Sequence, residues 1–179
     1  MSRFVAFLRG INVGSHIVTK EQLEEVFTSL GFHNVSTFGQ SGNVIFETNI
    51  LAPEELKTKI ENKLRTILSY VVSVFLRTIS QLKHVIQRNP LKDPIEGTSS
   101  LVTFLSIAPA KVTFQLPLAI PKSNGEILMI RDSEVYSATH GGGEGALPNP
   151  FIESELKIKA TTRNIKTIRR IVEKHDLPD

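Results

Sequence analysis

Apolar residues follow one another without a break over Phe4–Leu8. Such a run predicts a strand buried on both faces. The period then changes: Leu23, Val26, Phe27 and Leu30 recur at helical spacing. Thr19 and Gln22 frame the start of that helix as a capping box, and Gly31 stops it. Two short strands, Val35–Phe38 and Val44–Glu47, flank the turn composition Gly39-Gln40-Ser41-Gly42-Asn43. Pro53 opens a second helix with the stripe Leu56, Ile60, Leu64, Ile67 and Leu68. Val71–Thr78 reads as a fourth strand. The order is βαββαβ.

The second half is less regular. Ser80 is positioned to cap a short helix carrying Leu82, Val85 and Ile86, which Asn89-Pro90 ends. Asn89–Ser100 has the composition of a linker. Leu101–Ile107 reads as a strand, and Glu126–Arg131 with Glu134–Thr139 as a hairpin around Asp132-Ser133. Lys111–Leu118 alternates like an edge strand, yet prolines flank it. Phe151–Ile158 and Thr161–Lys174 read as helices. The fold class is therefore α+β, with two packed subdomains. The first, residues 1–79, is a ferredoxin-like βαββαβ unit; the second, residues 80–179, is a smaller antiparallel sheet with helices and a basic C-terminal helix.

An antiparallel βαββαβ sheet in the order 4-1-3-2 brings two loops to one end, the strand 1–helix 1 loop and the strand 2–strand 3 turn. The first supplies Arg9, Gly10, Asn12 and Gly14; the second supplies Gln40, Ser41, Gly42 and Asn43. Loops on a rigid scaffold commonly carry function. Arg9 has the geometry to grip a carboxylate or phosphate bidentately, and N–H groups freed by the glycines would complete an anion nest. The competing reading is that Gly and Asn only make tight turns while Arg9 pairs with an acid.

Composition narrows the chemistry. The chain has no cysteine, which excludes disulfides, thiolate metal sites and Cys nucleophiles, and the cytoplasm is the simplest compartment. The start, Met1-Ser2-Arg3, does not read as a signal peptide, and no apolar run approaches a membrane span. The Asn34-Val35-Ser36 sequon is accordingly read as chance. The five histidines are scattered without metal-binding spacing, so neither metal nor cofactor is expected. Gly10–Gly14 follows a strand but lacks the Gly-Lys-Ser/Thr of a P-loop. His140-Gly141-Gly142-Gly143 is similar to a lipase oxyanion loop, but the matching G-x-S-x-G is missing at Ser41. An enzyme relying on Ser41 or Arg9 would draw its base from His16 or His140. The third strand offers one Phe and no Arg or Lys, a poor match to an RNA-reading sheet.

Net charge is +3, concentrated at the C-terminus: residues 157–179 hold seven bases and three acids. On a helical wheel Ile165, Ile168, Ile171 and Val172 fall on one face, and Arg163, Lys166, Arg170 and Lys174 on the opposite one. Lys166, Arg170 and Lys174 are the nucleic-acid candidates, set against a plainly solvated face; no aromatic interleaves them.

Three stretches carry a resemblance. Arg9-Gly10-Ile11-Asn12-Val13-Gly14, Gln40-Ser41-Gly42-Asn43-Val44 and Ala160-Thr161-Thr162-Arg163-Asn164 resemble the RGINVGG, QSGNV and ATTRN signatures of the domain of unknown function 1697 family. The resemblance implies two α+β subdomains and assigns no activity. Ser15 and Ile165 depart from the family pattern. It adds Arg163 and Asn164 as ligand candidates, expected at the amino end of the last helix, where free N–H groups would hold an anion. The functional expectation is binding of a small anionic or phosphate-bearing ligand by Arg9, Asn12, Gly14, Ser41, Asn43, Arg163 and Asn164, at loops joining the subdomains. The alternative is association with nucleic acid through the basic helix.

Overall fold

The computed structural model describes residues 1–12, 17–39, 42–50, 52–92, 96–141 and 148–176. The chain divides into two compact units, Met1–Gln81 and Leu82–Asp179. The first runs β1 (Ser2–Arg9), α1 (Lys20–Ser29), β2 (His33–Thr37), β3 (Asn43–Thr48), α2 (Pro53–Leu68) and β4 (Ser73–Thr78). Its sheet has the order β2-β3-β1-β4, every pair antiparallel, which is the 4-1-3-2 order expected from the pattern.

Local chemistry explains these elements. Thr19 Oγ1 accepts from Gln22 N, and Gln22 Oε1 accepts from Thr19 N, so the capping box at α1 is closed. Beyond α1, Gly31 takes φ +82°, a left-handed turn that ends the helix. Phe4, Ala6 and Leu8 of β1 pack with Val44 and Phe46 of β3 against Leu23, Val26 and Phe27 of α1 and Leu56, Ile60 and Leu64 of α2. The Phe32 and Phe46 rings stack at 4.6 Å within this core. The alternate residues Val5 and Phe7 are equally buried, as an unbroken apolar strand requires. Two assignments shift. Ile67, read into the α2 stripe, is half exposed, and Val71 lies exposed before β4 begins.

Helix α3 (Ile79–Arg88) follows β4. Its cap is Thr78, not Ser80: Thr78 Oγ1 accepts from Gln81 N while Gln81 Oε1 accepts from Thr78 N. The second unit continues with β5 (Thr98–Leu105), β6 (Leu118–Ile120), β7 (Gly125–Arg131), β8 (Glu134–His140), α4 (Asn149–Leu156), β9 (Ala160–Asn164) and α5 (Ile165–His175). The sheet order is β6-β7-β8-β5-β9. The β7–β8 hairpin turns at Asp132, φ +53°. Strand β5 takes in Thr98–Ser100 from the expected linker, and residues 111–117 form no strand.

The main difference is β9. Residues 161–164, expected to open the last helix, instead belong to a strand over 160–164 that pairs with β5 from Leu101 to Leu105. The β-branched pair Thr161-Thr162 suits an extended backbone, and helical geometry begins only at Ile165. The added strand makes this sheet the larger of the two. Its core includes Leu105, Ile127, Val135, Ile152 and Ala160. Among the described residues, no helix is long and apolar enough to cross a membrane.

Candidate functional site

The two loops of the first unit meet as the strand order requires. Leu8 N donates to Gly42 O at 2.8 Å, tying the end of β1 to the β2–β3 turn. Gly42 has φ +66°, and a Cβ there would lie 2.6 Å from Ile11 Cγ2 and 3.1 Å from Leu8 Cβ. Only glycine fits this approach without displacing its neighbours. Asn12, at φ +55°, folds its own loop back: its Oδ1 accepts from Val18 N at 2.6 Å. Asn43 is buried, and its Nδ2 donates to Phe38 O at 2.9 Å across the turn. Both asparagines thus hold loop conformation.

Beside the interlocked loops opens a cleft of about 530 Å³, bordered by Asn12, Thr19, Lys20, Thr37, Gly42 and Asn43. Lys20 is the only charged residue lining it among the described residues. It is the first residue of α1, so its ammonium adds to the positive end of the helix dipole. The nearby Glu24 carboxylate accepts from both Thr37 N and Thr37 Oγ1 at 2.9 Å. Lys20 escaped the sequence reading because it lies inside the capping box from Thr19 to Gln22; its place at the start of the helix that follows the Gly10–Gly14 loop was the available signal.

Arg9 does not border this cleft. It ends β1 in phase with Val5 and Phe7, whereas Phe4, Ala6 and Leu8 carry the face packed on the helices. Alternation along the strand therefore directs Arg9 to the other face of the sheet. Gly14, Ser41 and His16 lie outside the described residues.

Arg163 and Asn164 belong to the second unit. Arg163 stands opposite Val102 in the β5–β9 ladder and is 8% exposed, not on the solvent face of a helix. Its Nη1 donates to Thr161 Oγ1 and Thr162 O, each at 2.8 Å. Burial pushes its pKa down to about 10, so the guanidinium stays a cation at neutral pH. Asn164 is the N-cap of α5 and accepts from Lys166 N at 2.9 Å. Thr162 joins Thr103 (2.7 Å between hydroxyl oxygens) and hydrogen-bonds to Asn149, linking β9, β5 and α4. Lys166, Arg170 and Lys174 are exposed on α5, while Ile165, Ile168, Ile171 and Val172 are buried, as the helical wheel predicts.

His140 ends β8 with Nδ1 3.1 Å from Thr98 Oγ1 and Nε2 3.3 Å from the Glu126 carboxylate. The glycines that follow at 142, 143 and 145 lie outside the described residues. Among the described residues, no group of three or more His, Asp or Glu could hold a metal ion.

No curated protein matches the chain. A solved structure described as the conserved bacterial protein SP0830 from Streptococcus pneumoniae superposes with a TM-score of 0.66 at 19% identity, covering 99% of each chain. At that identity the likeness is one of fold. The family model described as "Protein of unknown function (DUF1697)" matches residues 1–136. That span contains both signature loops of the first unit and ends before β9. The match over most of its length shows that the chain belongs to this family of proteins of unknown function.

Proposed function

We propose that the protein binds a small anionic or phosphate-bearing ligand in the loop cleft of its first, ferredoxin-like unit, in the cytoplasm. One observation carries the reading: a cleft of about 530 Å³ flanked by two interlocked polar loops, with Lys20 its only charge among the described residues. The first turn of α1 and the Thr19 and Asn12 side chains stand around the same space, with Thr19 Oγ1 and Asn12 Oδ1 already accepting from Gln22 N and Val18 N. Absence of cysteine supports the compartment.

Thermal unfolding in the presence of inorganic phosphate and of a nucleoside monophosphate tests the proposal. A ligand present at 100 times its Kd stabilises the folded protein by about 2.7 kcal/mol. Lys20→Glu should abolish that gain without lowering the melting temperature of the unliganded protein. Neither anion raising the melting temperature at millimolar concentration would overturn the reading. Arg9→Ala is the companion variant. Loss of the response there, with Lys20→Glu inert, would move the site to the opposite face of the sheet.

The exposed row Lys166, Arg170 and Lys174 supports a second reading, association with nucleic acid. Reversing all three to Glu should remove salt-sensitive retention of single- or double-stranded oligonucleotides; unchanged retention would dismiss it.

A further inference from the structure

A second cleft, of about 370 Å³, lies between α1 and α2. Val18 and Leu23 line both clefts, so the two adjoin along these residues. The character of the walls changes along the way. At the Lys20 end they are loops with amide, hydroxyl and ammonium groups. Between the helices the apolar lining is Leu23, Val26, Leu64 and Leu68, and Gln22, Glu25, Ser29 and Lys63 are its polar residues. Two large apolar side chains remain in water along this path, Ile17 at 78% exposure on the first cleft and Ile67 at 49% on the second. Helix α1, which forms one wall of the groove, has 10 residues and is about 15 Å long at about 1.5 Å per residue. Near the carboxyl end of α1, Lys59 Nζ donates to Leu30 O at 3.0 Å.

We infer that the ligand is a single-chain anionic amphiphile of medium length, whose head group meets Lys20 and whose hydrocarbon tail lies in the α1–α2 groove over Ile67. The inference rests on the anionic-ligand reading of the Lys20 cleft and specifies its ligand class. Charge and polarity set the orientation: Lys20 is the only charged residue of the polar cleft among the described residues, whereas in the groove the charge of Lys63 is accompanied by that of Glu25 and most of the lining is apolar. A tail in this groove removes its own surface from water and covers Ile67. A free fatty acid and an alkyl phosphate share this chemistry, and both serve as probes.

The test is a chain-length series on the intact protein. Binding of straight-chain carboxylates and alkyl phosphates from acetate and phosphate upward is measured by calorimetry below their aggregation concentrations. Kd should fall about twofold to fourfold for each methylene added, then level off once the groove is filled. Ile67→Asp should flatten the dependence on chain length while leaving inorganic phosphate binding unchanged; circular dichroism checks its fold. Lys20→Glu should weaken every member by a similar factor. If inorganic phosphate and acetate bind but Kd does not change with chain length, the amphiphile is overturned and the anion site stands. If affinity rises with chain length equally in Ile67→Asp, the tail lies elsewhere and the inference fails. If no member binds at any length, the anionic-ligand reading fails and this one with it.

Discussion

Gly42 is the position at which the loop interlock can be weighed. Alanine there faces two separate costs. At φ +66° an L residue gives up about 1–2 kcal/mol. The new Cβ would also stand 2.6 Å from Ile11 Cγ2 and 3.1 Å from Leu8 Cβ. Ile11 is β-branched and stiff at χ1, and Leu8 is part of the central strand β1, so neither yields freely. Overpacking of this kind costs about 1–3 kcal/mol more. Gly39 supplies the control in the same turn. It has φ +68°, and the nearest atom to its Cβ is Asn43 Nδ2 at 4.0 Å. Gly39→Ala should therefore show only the backbone cost, and Gly42→Ala about 2–5 kcal/mol in all. Urea unfolding followed by far-ultraviolet circular dichroism is the suitable assay, because the chain has no Trp and two Tyr. The midpoints should separate at equal m-values. Equal destabilisation by the two substitutions would refute the idea that the loops are sterically locked.

Other outcomes follow from titratable groups. Tyr136 is buried, and its hydroxyl has no hydrogen-bond partner among the described residues. Burial, then the nearby Glu134 charge, pushes its pKa up to about 12 from 10.0. The folded state thus holds this proton after the unfolded chain has lost it, and the associated stability is lost as pH rises from the unfolded value through the folded one. Tyr136→Phe should unfold at an equal or higher urea concentration at neutral pH, and lose less stability at about pH 11 than the wild type. Glu47 behaves in the opposite sense. The Asn34 amide and then the Arg3 guanidinium hold its pKa below the usual 4.5. Its contribution is present above that value and lost on acidification. Glu47→Gln should be less stable at neutral pH and show a shallower acid-induced fall in urea midpoint.

Much of the first unit was legible because its signals are local. The capping box at Thr19, Pro53 at the start of α2 and the unbroken run in β1 each act within a few residues, and the strand order then fixes which loops meet. The second capping box, Thr78 with Gln81, was equally present in the sequence, but Ser80 drew the cap two residues too far. β9 was hidden for a different reason. Its partner β5 lies about sixty residues away in the chain, and Asn164 caps a helix whose isoleucine spacing extends smoothly back toward residue 161. Reading the helix too early placed Arg163 on a solvent face, when strand geometry buries it. The Lys20 cleft was only half legible. The meeting of the loops follows from topology, but which side chains turn toward it depends on strand alternation, and that excludes Arg9 from its lining.

The place of β9 bears on how this chain is made and divided. Every ladder of the first sheet lies within Met1–Gln81, so its strands are all available early in synthesis. The second sheet cannot close until residue 164 has left the ribosome, because β5 waits for β9. A fragment cut at residue 136, where the family match ends, would lack β9 and part of β8. Strand β5 would then present the backbone N–H and C=O groups of Leu101–Leu105 as a bare edge, open to pairing with another chain. The second sheet therefore closes beyond the segment that the family model matches, and expression of the shorter piece should favour aggregation.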